Sequence, residues 1–174
     1  SCGLKVLSSK HITMSKITRN FEKQFAKRLG CKYALMTNSG SSANLLMVSA
    51  AMASGRIKNK KIAVPAVGWV TTIAPAMQLG LTPIMVGTDK NTYGIDLDLL
   101  EEVCKTERPD AVIFVQALGV PHYKKRLLEL KEKYGFCLLE DACAALGAEY
   151  EDGTKVGTVG DMSSFSFYFG PQLS

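Results

Sequence analysis

Short apolar runs alternate with helix-patterned segments along this chain, and that alternation restricts the possible folds more than any other feature. YALMT (33–37), KIAVPA (61–66), LTPIMVG (81–87), AVIFVQA (111–117) and FCLLED (136–141) read as strands. Between them lie SGSSANLLMVSAAMASG (39–55), TTIAPAMQLG (71–80), LDLLEEVCK (97–105) and YKKRLLELKEKYG (123–135), which read as helices, the last closing on a capping glycine. Ahead of them, TRNFEKQFAKRLG (18–30) carries Phe21, Phe25 and Leu29 at helical spacing and ends at Gly30. After the last of these strands, EYEDGTKVG reads as a turn and DMSSFSFYFG (161–170) as a late strand. Strands separated by helices pair in parallel through right-handed crossovers. The expected fold class is α/β, a three-layer α/β/α arrangement around a mostly parallel sheet.

No charged residue occurs from Ile62 to Thr88, a length that could cross a bilayer. Pro65, Pro75 and Pro83, with Gly68 and Gly80, divide the stretch into strand, helix and strand lengths, so it reads as buried core. With 47% hydrophobic and 21% charged residues over 174 positions, the chain supports a sizeable core and reads as one globular unit or a large piece of one. Five cysteines without a C-x-x-C pair, and only two histidines, indicate neither a metal site nor a disulfide framework. A reducing, cytoplasmic setting is expected, and the N-terminal SCGLKVLSSK lacks the apolar core of an export signal. Residues 1–32 hold eight Lys/Arg against the single Glu22, a net +7 within a total of +5, which leaves −2 elsewhere. Such a face could attract phosphate or nucleic acid, but without interleaved aromatics it reads better as a solvated helix surface.

In an open parallel sheet, ligands sit beyond the C-terminal ends of the strands. Asn38-Ser39-Gly40-Ser41-Ser42 follows YALMT and opens a helix, which makes either an anion cradle or an ordinary N-cap. It has neither the lysine of a Walker loop nor G-x-G-x-x-G spacing. Trp69, the only tryptophan, follows KIAVPA behind Gly68 and is either a ring-stacking platform or a core residue. Glu140-Asp141 ends FCLLED, where a buried carboxylate needs a cation such as a protonated pyridine nitrogen, or backbone N–H donors. Ser166, placed in the late strand, adds a hydroxyl or is merely a small strand residue.

Taken together, NFEKQFAKRLGCKYALMTNSGSSANLL, VPAVGWVTTIAPAMQLGLTPIMVGTD, LLEDACAALGAEYEDGTKVGTVGD and FSFYFG resemble the DegT/DnrJ/EryC1/StrS sugar aminotransferases, in that family's order. These are pyridoxal 5'-phosphate (PLP) enzymes of the aspartate aminotransferase fold, and NSGSSANLL looks most like the nucleotide-sugar 3-dehydratase branch. The resemblance implies that residues 1–174 form a partial PLP-dependent transferase-like large domain, with the family's C-terminal small domain absent. It implies that Gly40, Ser41 and Ser42 hold the cofactor phosphate, that Trp69 stacks on the pyridine ring and that Ser166 adds a phosphate hydrogen bond. Asp141 would pair with the ring nitrogen and sustain the ring as an electron sink.

Two positions depart from the family. Ala144 stands where Gln or His usually contacts the cofactor's 3-hydroxyl. Pro171 stands where aminotransferases carry the cofactor-binding lysine and dehydratases carry histidine, and proline supplies neither a base nor a nucleophile. The implied parent activity is PLP-dependent amino transfer from an amino acid such as glutamate to a nucleotide-linked keto sugar, in cell-surface polysaccharide or deoxysugar biosynthesis. This chain would be a fragment without the catalytic residue. The alternatives are a PLP-dependent nucleotide-sugar 3-dehydratase and a non-catalytic domain binding PLP or a sugar nucleotide. The resemblance further implies a homodimer, with neither nucleic acid nor membrane as a partner.

Overall fold

The computed structural model describes residues 7–8 and 15–168, in two compact units, Ser1–Thr37 and Asn38–Ser174. In the first unit, helix α1 (Lys16–Leu29) is capped by Ser15, whose side chain accepts from the Ile17 N–H. It ends at Gly30, whose left-handed φ of 78° lets its N–H return to the Ala26 and Lys27 carbonyls. Phe21 and Phe25 stack with centroids 5.7 Å apart. Lys16, Arg19, Lys23, Lys27 and Arg28 are all exposed, as a solvated face requires.

The expected strand at YALMT does not form. Tyr33–Thr37 is irregular, and the Met36 N–H donates to Glu22 Oε1 at 2.9 Å. Tyr33 and Leu35 are 75% and 73% exposed. A β-prone run becomes a strand only beside a ladder partner, and among the described residues it has none.

The second unit carries α2 (Gly40–Ala53), β1 (Lys61–Pro65), α3 (Val70–Gln78), β2 (Thr82–Val86), α4 (Leu97–Thr106), β3 (Ala111–Val115), α5 (Lys124–Tyr134), β4 (Cys137–Asp141) and β5 (Met162–Ser164). The five strands lie in the order β2-β1-β3-β4-β5, and every pair is parallel. The uncharged run from Ile62 to Thr88 resolves into β1, α3 and β2, and no helix among the described residues is long and apolar enough to cross a membrane.

Side-chain alternation produces the three layers. Ile62 and Val64, Ala111 and Ile113, and Cys137 and Leu139 pack with Met47, Val48 and Ala51 of α2 and Ala76 of α3. Their strand neighbours Ala63, Val112, Phe114 and Leu138 pack with Leu97, Leu100 and Cys104 of α4 and Leu127 and Leu130 of α5. Both faces are therefore dry, which is why these strands read as continuous apolar runs. A fully buried side chain of this size contributes about 1.5–3 kcal/mol.

The late strand is shorter than DMSSFSFYFG suggests. β4 ends at Asp141, opposite Ser164, and the Ala142 N–H gives the last bond to the Ser164 carbonyl at 2.9 Å. Beyond that point the neighbouring chain has left the sheet, so Phe165–Tyr168 leave it too.

Candidate functional site

The C-terminal ends of β4 and β5 meet the N-terminus of α2. Ser39 is the N-cap of α2, and its Oγ accepts from the Ser42 N–H at 3.1 Å. The ordinary capping role therefore falls to Ser39, which leaves Ser41, an exposed residue, on the first turn. The first N–H groups of a helix have no carbonyl one turn behind them and carry the positive end of its dipole. A Cβ on Gly40 would stand 3.1 Å from Cys143 Sγ, 3.3 Å from Ser166 Cβ and 3.4 Å from Ser166 Oγ. The missing side chain keeps this backbone open beside Ser166. Ser166 lies two residues past the end of β5, not within it, and its Oγ accepts from the Tyr168 N–H at 3.2 Å.

Asp141 ends β4 and is 4% exposed. Its Oδ2 accepts from Asn44 Nδ2 and Thr72 Oγ1, both at 2.8 Å, and its Oδ1 accepts from the Cys143 N–H at 3.1 Å. A carboxylate offers about four acceptor positions. Two of these donors are on Oδ2 and one is on Oδ1, and the Cys143 thiol also hydrogen-bonds the carboxylate. Burial, followed by the Asp141 charge, pushes the Cys143 thiol up to about 12, so it remains protonated at neutral pH.

The two adjacent carboxylates have divided the alternatives left open by the sequence. Glu140 is fully buried and accepts the N–H groups of Gly157 at 3.1 Å, Val159 at 2.7 Å and Gly160. It holds the loop before β5, while Asp141 faces α2 and α3. Trp69 is no core residue: it is 76% exposed, at the N-cap of α3. Ala144 is exposed, and its carbonyl packs where a Cβ on Gly119 would come within 2.7 Å. Pro171 lies outside the described residues.

Asn44, Thr72 and Ser164 escaped the sequence reading. They are 2%, 0% and 3% exposed. A faint signal existed: Asn44 is the one polar residue in the apolar stretch Ala43–Val48 of α2, an unfavourable helix position for Asn unless its amide is bonded.

The fold and site define a class: a three-layer α/β domain whose parallel strands end at an open helix N-terminus and a buried aspartate. The chain belongs to the DegT/DnrJ/EryC1/StrS aminotransferase family, whose model matches residues 4–173. It is 37% identical over 173 residues to a GDP-4-keto-6-deoxy-D-mannose 3-dehydratase of Yersinia pseudotuberculosis, covering 98% of this chain and 44% of that protein. The Escherichia coli GDP-4-keto-6-deoxy-D-mannose 3-dehydratase with bound hydrated PLP superposes with a TM-score of 0.81 at 38% identity, over 88% of this chain and 40% of that one. Helicobacter pylori PseC, an aminotransferase involved in the biosynthesis of pseudoaminic acid, superposes with a TM-score of 0.83 at 31% identity, over 95% of this chain and 43% of that one. The chain thus spans less than half the length of the relatives it matches.

Proposed function

We propose that residues 1–174 are part of the PLP-binding large domain of an enzyme acting on a nucleotide-linked keto sugar. The observation that carries this reading is the convergence of Gly40, Ser166 and Asp141, which come from three separate segments. The first turn of α2, with Ser41, Ser42 and Ser166, would hold the phosphate, and the bare backbone at Gly40 admits it. The exposed Trp69 would cover one face of the pyridine ring. Asp141, held in place by Asn44, Thr72 and the Cys143 N–H, would accept the ring N–H. When bound, PLP supplies an electron sink for a substrate carbanion.

Amino transfer from an amino acid is the leading activity. The 3-dehydratase reading has its own support, because the relative at 37% and the structure at 38% are 3-dehydratases while the aminotransferase structure stands at 31%. In a complete homologous gene, lysine at the position of Pro171 would favour amino transfer and histidine would favour dehydration. Proline retained there, together with Ala144, would favour a binding domain without catalysis. A homodimer is part of the same proposal, tested by light scattering across a concentration series.

Equilibrium dialysis of the 174-residue chain against PLP tests the cofactor reading. Saturable binding that weakens in Asp141→Asn and in Ser166→Ala is expected. Binding absent from the unaltered chain, or indifferent to both changes, contradicts the reading.

A further inference from the structure

A chain of buried side chains stands behind Asp141. Ser164 Oγ donates to Asn44 Oδ1, and Asn44 Nδ2 donates to Asp141 Oδ2 at 2.8 Å. The same Nδ2 donates to the Thr71 carbonyl at 3.3 Å. That carbonyl is available for a reason written in the sequence: it lies four residues before Pro75, which has no N–H to return to it. The amide of Asn44 thus has both its N–H groups and its oxygen engaged, by three different elements. A flipped amide would turn its oxygen towards the Asp141 carboxylate and the Thr71 carbonyl and lose both donor bonds.

Asp141 and the Thr71 carbonyl, which can only accept, set this direction. The single hydroxyl hydrogen of Ser164 completes it by going to Asn44 Oδ1, and Cys143 Sγ lies 3.9 Å from the same Ser164 Oγ. Thr72 Oγ1 donates to the same Oδ2 from the first turn of α3. Oδ2 therefore has both its acceptor positions filled from the helix side, which turns any further donor towards Oδ1.

We infer that Asn44, held by Ser164, and Thr72 are positioning residues that lock the Asp141 carboxylate so that Oδ1 is the oxygen presented to a ring N–H. This rests on the PLP reading above and goes beyond it, because neither Asn44 nor Thr72 is required to touch the cofactor. Replacing Thr72 with valine keeps the shape and removes one lock, whereas serine keeps the hydroxyl. Ser164→Ala removes the donor that holds the Asn44 oxygen, without touching Asp141.

The test compares dissociation constants for PLP and for its 1-deaza analogue, which has carbon in place of the ring nitrogen. Only the first can exploit Asp141, so the ratio of the two constants reports carboxylate alignment, while general damage to the site moves both together. The unaltered chain should prefer PLP. Thr72→Val and Ser164→Ala should each reduce that preference about tenfold, and Thr72→Ser should restore it. Circular dichroism melts identify variants that fail to fold, and the two substitutions on different elements stand in for one another. Equal weakening of both ligands, or a preference unchanged in folded Thr72→Val and Ser164→Ala, overturns the positioning role while leaving the cofactor reading intact. An unaltered chain that binds both ligands equally, or neither, overturns the pairing of Asp141 with the ring and the positioning role with it.

Discussion

Glu140 and Asp141 are consecutive at the end of β4, yet they bond on opposite sides of the sheet: Glu140 Oε1 accepts from Val159 N–H at 2.7 Å and Asp141 Oδ2 accepts from Asn44 Nδ2 at 2.8 Å. The two-residue period of a strand turns one carboxylate into a loop clamp and the other into a site residue.

The clamp makes a stability prediction. Glu140→Ala leaves the Gly157, Val159 and Gly160 N–H groups without their acceptor. An unsatisfied buried polar group costs about 1–3 kcal/mol. Urea unfolding should show a lower midpoint by a loss in this range or above, and Glu140→Gln should fall between the two, since one amide oxygen still accepts.

Gly40 makes a prediction about space. Gly40→Ala places a methyl group 3.1 Å from Cys143 Sγ and 3.3 Å from Ser166 Cβ. Overpacking of this kind costs about 1–3 kcal/mol. Adding Cys143→Ala should recover part of the thermal stability, because it removes the nearer contact; no recovery in melting temperature would place the strain elsewhere.

Glu101 should contribute to acid sensitivity. Its Oε1 accepts from Lys133 Nζ at 2.8 Å and from the Tyr134 hydroxyl at 3.1 Å, and these bonds lower its carboxyl from 4.5 to about 2. A depressed folded pKa contributes stability above the unfolded value, and the contribution disappears as pH falls through the folded value. The melting-temperature gap between the unaltered chain and Glu101→Gln should be constant above pH 4.5 and close as pH falls towards 2.

Thiol labelling should separate the cysteines. Cys31 is exposed, whereas Cys104 is buried with its thiol pushed up to about 11 and Cys143 is raised to about 12, both chiefly by burial. Because the thiolate is the nucleophile, iodoacetamide at pH 8 should modify Cys31 well before either of the others, as read by peptide mass spectrometry. Early labelling of Cys143 would contradict the burial that keeps its thiol protonated beside Asp141.

Much of the framework was legible because it depends on neighbours in sequence. Gly30 and Gly135 close α1 and α5 at φ values of 78° and 72°, and Gly68 and Gly80 fall in the breaks between β1, α3 and β2, whereas Pro75 and Pro83 lie inside α3 and β2. The strands of the three-layer fold announce themselves as apolar runs because both faces of a covered sheet are dry. YALMT misled for the complementary reason: strand propensity describes a fit to a partner, and its own composition cannot say whether one is there.

The sequence by itself determined most of the element types, the α/β class and the candidates Gly40, Trp69, Asp141 and Ser166, since caps, periodicity and strand ends are local properties. Only the tertiary structure decided the order β2-β1-β3-β4-β5, which of two adjacent carboxylates holds a loop, and that Asn44, Thr72 and Ser164 converge on the other. Asn44 meets a residue 97 positions away and Ser164 reaches back 120 to find it. No local rule reports such pairings, because hydrogen bonds between distant residues exist only once the sheet has brought its strand ends to the same edge.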